Sequence, residues 1–330
     1  MLSCDGLKAL CGLASGRFGR FIETLRIGSE ALAYSRPTAT RAQRARLREL
    51  YEDQTYLRQR GLDAALLAVA LTNMKASLRE IVVSGASSIG GPRSWGALEL
   101  EEEVGGAIVL EQSRTLSTVL AAIASSQVQP RVVRNEPLIG KDGIGAHRDA
   151  IAIPRAGMAL LSAAFQRLRI LQLNLWVQST ASGITVRSLS ADLIDLLLEL
   201  ASLEELYLGL QRVLAVPVLG PEIGAVAFSS RLRKLHITGG QVEEATLLAL
   251  IQNHRQTLQR ATFTRVSLRG GWRSLLGRLG FEVSSGDLEA NIQPAVTVLG
   301  AWDSLACQEV TMVAGDPSKP STARRDTGQR

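Results

Sequence analysis

Cysteine is scarce: only Cys4, Cys11 and Cys307 carry a thiol in 330 residues. No two of them stand at the close spacing, with His or Cys partners, that a zinc site needs. Neither a disulfide framework nor a structural zinc is therefore expected to hold the chain together, and a reducing compartment is. Aromatic residues make up 4% of the chain, too few for a groove on which successive single-stranded bases stack. No run of about 18 uncharged apolar residues occurs. Asp5 interrupts the only stretch that could serve as a secretory signal, and no Asn-x-Ser/Thr sequon is found. The expectation is a protein of the cytoplasm or nucleus with no membrane partner.

Catalytic signatures are equally thin. Gly140-Lys141 ends like a phosphate loop, but Asp142 follows where Ser or Thr is needed and Asn135 stands where the leading glycine should be. Gly143-Ile-Gly145 is followed by Arg148 in place of a third glycine, so a dinucleotide fingerprint fails as well. Gly85-Ala-Ser87-Ser-Ile89 lacks the closing glycine of a nucleophile elbow. The three histidines, His147, His236 and His254, form no H-E-x-x-H pair. His254 falls at the end of a helical stripe, where an imidazole can satisfy terminal carbonyls. Glu99, Glu101, Glu102 and Glu103 form a dense acidic run without an evident basic or metal partner and read as a solvated segment. No catalytic, cofactor-binding or metal-binding residue is expected, and the chain is not expected to be an enzyme.

What the sequence has in quantity is apolar residues, 46% of the total, arranged in a recurring pair of patterns. Leu7, Leu10, Cys11 and Ala14 fall at i, i+3, i+4 and i+7, one apolar helix stripe, and FIETLRI follows in L-x-x-L-x-L spacing. The helical stretch with Leu62, Leu66 and Val69 on one side and Leu67, Leu71 and Met74 on another is apolar over most of its surface and should lie between neighbours; LREIVV follows it. Leu116, Val119, Leu120 and Ile123 begin a third pair, after which 129–153 is rich in Pro and Gly, with only a weak strand at Arg131 to Arg134. LRILQL, LEELYL and LRKLHI are strong strands, LQRATF a weaker fourth, and Trp272, Leu275, Leu276 and Leu279 form a closing helix. Ser190 is a plausible N-cap, and Glu243 and Glu244 suit the positive end of the helix after Gly239-Gly240.

The centres of the later strands lie 35, 29 and 26 residues apart (171, 206, 235, 261), approaching the roughly 20 to 29 residues of a leucine-rich repeat. One strand and one helix cannot cover their own apolar face, so such units are stable only when stacked. The expected fold is α/β, a leucine-rich-repeat-like solenoid of alternating helices and short parallel strands. Irregular repeats are expected over 1–155, regular units over 156–282, a C-terminal cap over 283–310, and a disordered tail over 311–330, where polar and proline-bearing sequence lacks a core-forming stripe.

In an L-x-x-L-x-L strand the leucines face the core and the x residues face outward on the concave side. The x position between the last two leucines gives a column, Arg26, Val82, Gln172, Tyr207, His236 and Thr262, with Asn174 just beyond the third strand. Beside it lie Glu23, Arg169, Glu204, Glu205, Arg233, Lys234 and Arg260. A broad surface of mixed charge with no deep convergent group suits a protein partner better than a small substrate. Arg26, Gln172, Asn174, Tyr207, His236 and Thr262 are the expected partner-binding residues, Tyr207 first among them because aromatics are enriched at interface hot spots. The rival reading starts from the net charge of +6 and pI near 9.6. Seven arginines between Arg36 and Arg60 would serve a nucleic-acid-associated protein, although Glu49, Glu52 and Asp53 alternate with them, as on a solvated helix.

Three stretches carry a resemblance: DGLKALCGLASGRFGRFIETLRI; QTYLRQRGLDAALLAVALTNMKASLREIVV with the later SWGALELEEEVG; and LRKLHITGGQVEEATLLALIQNHRQTLQRATFTRVSLRGGWRSLLGRL. Across about residues 5 to 282 the chain resembles the region after the F-box in fungal F-box and leucine-rich-repeat proteins. In that family the F-box recruits the linker subunit of a cullin-based ubiquitin ligase, and the repeats bind the protein to be modified. No F-box-like Leu-Pro segment precedes Cys4. The resemblance therefore implies the substrate-recognition half of such an adaptor, without its F-box.

Overall fold

Residues that alternate apolar and polar in the sequence become one ladder in space. A computed structural model of the chain describes residues 3–32, 40–84, 108–136, 146–177, 185–212, 219, 223–224, 228–279, 296–299 and 309–313. In chain order the elements are α1 (Cys4–Ser15), β1 (Thr24–Gly28), β2 (Glu30–Leu32), α2 (Arg41–Gln59), α3 (Leu62–Asn73), β3 (Glu80–Ser84), β4 (Ile108–Leu110), α4 (Gln112–Ser126), β5 (Val132–Asn135), β6 (Ala146–His147), α5 (Arg155–Ala164), β7 (Ile170–Val177), α6 (Thr185–Leu198), β8 (Glu205–Arg212), β9 (Lys234–Thr238), β10 (Gln241–Glu243), α7 (Glu244–Asn253), β11 (Arg260–Thr264), β12 (Ser267–Arg269), α8 (Trp272–Arg278), β13 (Val296–Leu299) and β14 (Glu309–Val313).

The main sheet runs β1-β3-β5-β7-β8-β9-β11-β14-β13. From β1 to β11 every neighbouring pair is parallel and the order is that of the chain; β14 and β13 then add antiparallel strands. The fold is mixed α/β with strands and helices alternating, and the sheet is open, with β1 at one end and β13 at the other. Register is unbroken: Leu25, Ile81, Val133, Leu171, Leu206, Leu235 and Ala261 are successive Cα partners.

Burial explains that register. Six of the seven strands from β1 to β11 in the main sheet send two apolar side chains toward the helices: Leu25 and Ile27, Ile81 and Val83, Leu171 and Leu173, Leu206 and Leu208, Leu235 and Ile237, Ala261 and Phe263, all buried; β5 has Val133 and, in the second place, the buried Asn135. Slipping a strand by one residue would expose its pair and bury polar neighbours, at about 1.5–3 kcal/mol for each large apolar side chain lost to water. One continuous hydrophobic cluster runs from Leu7 on α1 to Leu276 on α8. Within it α3 lies between α1 and α4, as its all-round apolar sequence requires, while α4 also meets α5, and α7 meets α8.

Local chemistry sets several element starts. The Ser3 hydroxyl accepts from the Gly6 N–H at 3.1 Å to cap α1. Thr40 and Gln43 form a reciprocal capping box at α2. Ser190, expected as an N-cap, lies inside α6, which begins at Thr185. Gly239 and Gly240, at φ +74° and +78°, supply the left-handed turn between β9 and β10. β10 pairs in parallel with β12, and Leu219 bridges to Val242, so a short second ladder follows the main one. β2 pairs antiparallel with β4, and β6 joins the far end of β7. β14 crosses the boundary drawn at residue 310, while 314–330 lie outside the described residues.

Candidate functional site

Away from the helices the sheet presents the residues between the buried pairs. Arg26, Val82, Arg134, Gln172, Tyr207, His236 and Thr262 are consecutive Cα partners across seven adjacent strands. Five of the six expected partner-binding residues, Arg26, Gln172, Tyr207, His236 and Thr262, thus fall in one straight row, and all five are exposed or half-exposed. Arg134 completes the row on β5 and was missing from the sequence-derived column. Val82 is 2% exposed, set between Arg26 and Arg134, whose long side chains cover apolar neighbours readily.

Asn174, the sixth, stands apart. It lies within β7, not beyond it, and is buried. Its side-chain amide donates to the Asn135 carbonyl, and the Asn135 amide donates to the Asn174 carbonyl at 3.0 Å. Gln112 Nε2 donates to Asn135 Oδ1 at 2.6 Å. The backbone ladder between β5 and β7 ends at Arg134 and Gln172, so the two asparagines continue the strand pairing with side-chain amides where the backbone no longer does. Gly209 is the Cα partner of Asn174, and a Cβ there would approach the Asn174 amide carbon to 2.9 Å.

Charges on the row and two residues to either side of it are paired across strands. Arg26 holds Glu136 with two hydrogen bonds, 2.6 and 3.1 Å. Arg134 Nε donates to Glu80 at 3.0 Å, and its Nη1 reaches Gln172 Oε1 at 3.4 Å. Lys234 Nζ donates to Glu205 Oε1 at 2.7 Å, and the Tyr207 hydroxyl donates to Glu205 Oε2 at 2.8 Å. Partial burial pushes the Glu205 carboxyl up, but the hydrogen bonds from Lys234 and Tyr207 and the charges of Lys234 and Arg134 outweigh it and hold the group below its ordinary value. Burial, with the same Glu205 contact, raises the Tyr207 phenol. Tyr207 therefore stays a neutral hydroxyl whose ring lies 5.8 Å from the His236 ring, tilted by 31°. His236 Nε2 lies 2.7 Å from the Thr238 hydroxyl.

Within the Arg36 to Arg60 stretch Arg41–Gln59 form α2, which lies apart from this row. Arg46 pairs with Glu49, Arg58 with Glu111 at 2.6 Å, and the Arg60 guanidinium sits 5.8 Å from the Tyr56 ring centroid. Arg36 lies outside the described residues, as do the Gly140–Gly145 glycines and the Glu99–Glu103 run. Among the described residues no group of three His, Cys, Asp or Glu could hold a metal ion, and no helix is long and apolar enough to cross a membrane. Cys11 Sγ lies 3.2 Å from the Leu66 carbonyl on α3.

His254 differs from its expected role. It caps α7 with its backbone, but its ring turns inward, is 2% exposed and packs 4.6 Å from the Phe228 ring centroid. Nε2 has no hydrogen-bond partner among the described residues. Burial lowers the imidazole below its ordinary 6.5, only partly opposed by a hydrogen bond to the Ser229 backbone. With the folded value below the unfolded one, a proton prefers the unfolded chain. Stability is unaffected by this group above about pH 6.5 and falls as pH drops below it, by at most about 1.4 kcal/mol per pH unit. His254→Leu should remove that part of the slope. Urea unfolding of both proteins at several pH values between neutrality and pH 5 checks it: equal slopes would mean that His254 does not titrate with folding.

No protein-family model matches the chain, and no curated protein matches it.

Proposed function

We propose that the chain is a non-enzymatic protein-recognition module of leucine-rich-repeat-like build, in which successive strand–helix units stack as a solenoid and the sheet face away from the helices receives a protein partner. The observation that carries the reading is the straight row from Arg26 to Thr262, with the half-exposed Tyr207–His236 ring pair on adjacent strands toward its β11 end. Rigid strands hold these side chains, cross-strand ion pairs fix them, and aromatic and arginine residues of this kind dominate binding energy at interfaces. The resemblance to the region after the F-box extends the proposal to a substrate-recognition role in a cullin-based ubiquitin ligase, in the cytoplasm or nucleus. Three quoted stretches of leucine-spaced sequence support that extension.

Tyr207→Ala should weaken the native partner's binding about tenfold or more, the loss typical of a buried aromatic anchor. It should change stability by no more than about 1 kcal/mol, because Tyr207 is only half-buried. Titration of the native complex with wild-type, Tyr207→Ala and His236→Ala chains, beside their urea midpoints, tests the proposal. Undiminished binding by both folded variants would overturn it.

A further inference from the structure

At the strand entries the sheet brings together residues that the chain keeps far apart. The Arg79 N–H donates to the Glu23 carbonyl at 2.8 Å, the Arg131 N–H to Arg79 at 2.7 Å, and the Arg169 N–H to Arg131 at 2.8 Å. Glu204, Arg233 and Gln259 continue the same row in the same way, each at 2.8 Å. Seven residues thus line one rim of the sheet at one strand spacing, about 4.8 Å apart.

Arg79, Arg131 and Arg169 occupy three consecutive rungs, and like charges on adjacent strands repel. Their counter-charges are poor. Arg79 approaches Glu23 only to 3.8 Å and Arg169 approaches Glu204 only to 3.7 Å, with both arginine side chains 55% exposed. No carboxylate among the described residues forms an ion pair with Arg131 or Arg233. Farther along the strands the pattern reverses: Arg26 and Arg134 have close carboxylate partners at 2.6 and 3.0 Å. The chain neutralises arginines in mid-sheet and leaves three adjacent ones at the rim without close partners. The exposed Arg233 and Arg260, beside Lys234, extend the positive rim toward β11. Adjacent cations with long ion pairs or none add little to the fold; an anionic ligand laid across the strands would relieve their repulsion.

We propose that this rim binds an extended acidic segment of the partner protein, with carboxylates spaced along Arg79, Arg131, Arg169 and Arg233 and a flanking side chain against the Tyr207–His236 pair. The proposal rests on the protein-binding reading of the sheet face and specifies its partner. Glu23 and Glu204 interrupt the row, so a uniform phosphate chain meets repulsion at two of seven rungs. A peptide, which varies its side chains, avoids it. A single tyrosine on the row also falls short of the successive aromatic platforms that single-stranded nucleic acid uses.

The test uses the intact chain and three labelled probes long enough to span the rim: poly-glutamate, poly-lysine and an oligothymidylate. Poly-glutamate should bind, more weakly as salt rises, and poly-lysine should not. The triple variant Arg79→Gln, Arg131→Gln, Arg169→Gln should lose affinity about tenfold or more, while its urea midpoint stays equal or rises because repulsion has been removed. A structural role for the arginines predicts a lower midpoint. No poly-glutamate binding at low salt, equal affinity of wild type and variant, binding of poly-lysine, or oligothymidylate binding as tight as poly-glutamate would each overturn the proposal. If poly-glutamate fails while Tyr207→Ala still weakens the native complex, the acidic-segment proposal falls alone; if both effects are absent, the binding face falls with it.

Discussion

Gly19→Ala is expected to destabilise the chain by about 2–4 kcal/mol, while Gly12→Ala, on the same helical arm, is expected to stabilise it by about 0.5–1 kcal/mol. Gly12 sits in α1 four residues before its C-cap Gly16, exposed, with nothing within 4 Å of where its Cβ would stand. A methyl there only reduces the freedom of the unfolded chain and raises helix propensity. Gly19 follows the end of α1, where the chain doubles back toward β1. Its N–H donates to the Gly16 carbonyl at 3.2 Å, and its own carbonyl accepts from the Ser77 hydroxyl at 3.1 Å. A Cβ at Gly19 would fall inside van der Waals contact of the Ala14 carbonyl oxygen and within 2.7 Å of the carbonyl carbon. These are backbone atoms of a helix and cannot swing aside as a side chain can. The turn has to shift, which breaks the Ser77 tie and moves the entry of β1. Urea unfolding of the two variants should show midpoints displaced in opposite directions; a Gly19→Ala midpoint at or above wild type would mean that the turn yields without cost.

The strands of the second half could be read in the sequence because two forces wrote them in the same letters. The buried pair on each strand must be large and apolar, and the residue between must face water, so Leu171-Gln172-Leu173, Leu206-Tyr207-Leu208 and Leu235-His236-Ile237 mark both the element and its open face. That parity also places the row, because parallel strands in unbroken register align equivalent positions. β5 showed only as a weak strand at Arg131 to Arg134, because Asn135 holds its second core position. An amide there breaks the apolar pattern, and its reason is tertiary: it bonds Gln112 on α4 and the Asn174 carbonyl on β7, partners remote in sequence. Asn174 was misplaced for the same cause. Its parity is that of an open-face residue, but the amide is drawn over Gly209 and Asn135, and only the assembled sheet shows that the space above Gly209 is filled. Short ladders such as β10 with β12 carry three residues each, too few for any period to appear.

Charge pairing was the least legible feature. Glu80 with Arg134 and Glu205 with Lys234 each join neighbouring strands, and their meeting depends on register and on rotamers that no spacing rule encodes. The rim arginines were individually visible, and Arg169 and Arg233 were placed beside the column. Their adjacency to Arg79 and Arg131 follows only once β3, β5 and β7 are known to be neighbours. The alternation in the sequence marked the open face, while the sheet order supplied the concentration of positive charge along its rim.

Phe263→Ala should cost about 3–5 kcal/mol, the largest loss expected from a single truncation. The ring is 1% exposed and lies 5.4 Å from the Trp272 ring, tilted by 46°, so removing it leaves a large void and strips the indole of its partner. Its position makes the result informative beyond its size. Phe263 belongs to β11, the last parallel strand of the main sheet, and Trp272 to α8; together they hold the closing unit against β9 and α7. If the units stack as proposed, each touching only its neighbours, the damage should stay local. Backbone amides of β9, β11 and α8 should then exchange faster in Phe263→Ala, while those of β1, β3 and β5 keep their protection. A single cooperative core would instead lower protection from β1 through β11 alike. Leu171→Ala on the central β7, expected at about 2–5 kcal/mol, supplies the contrast: its neighbours on both sides should loosen together. Exchange measured by mass spectrometry on the two variants separates the cases, and uniform loss in Phe263→Ala would argue against unit-by-unit stacking while leaving the row on the sheet face in place.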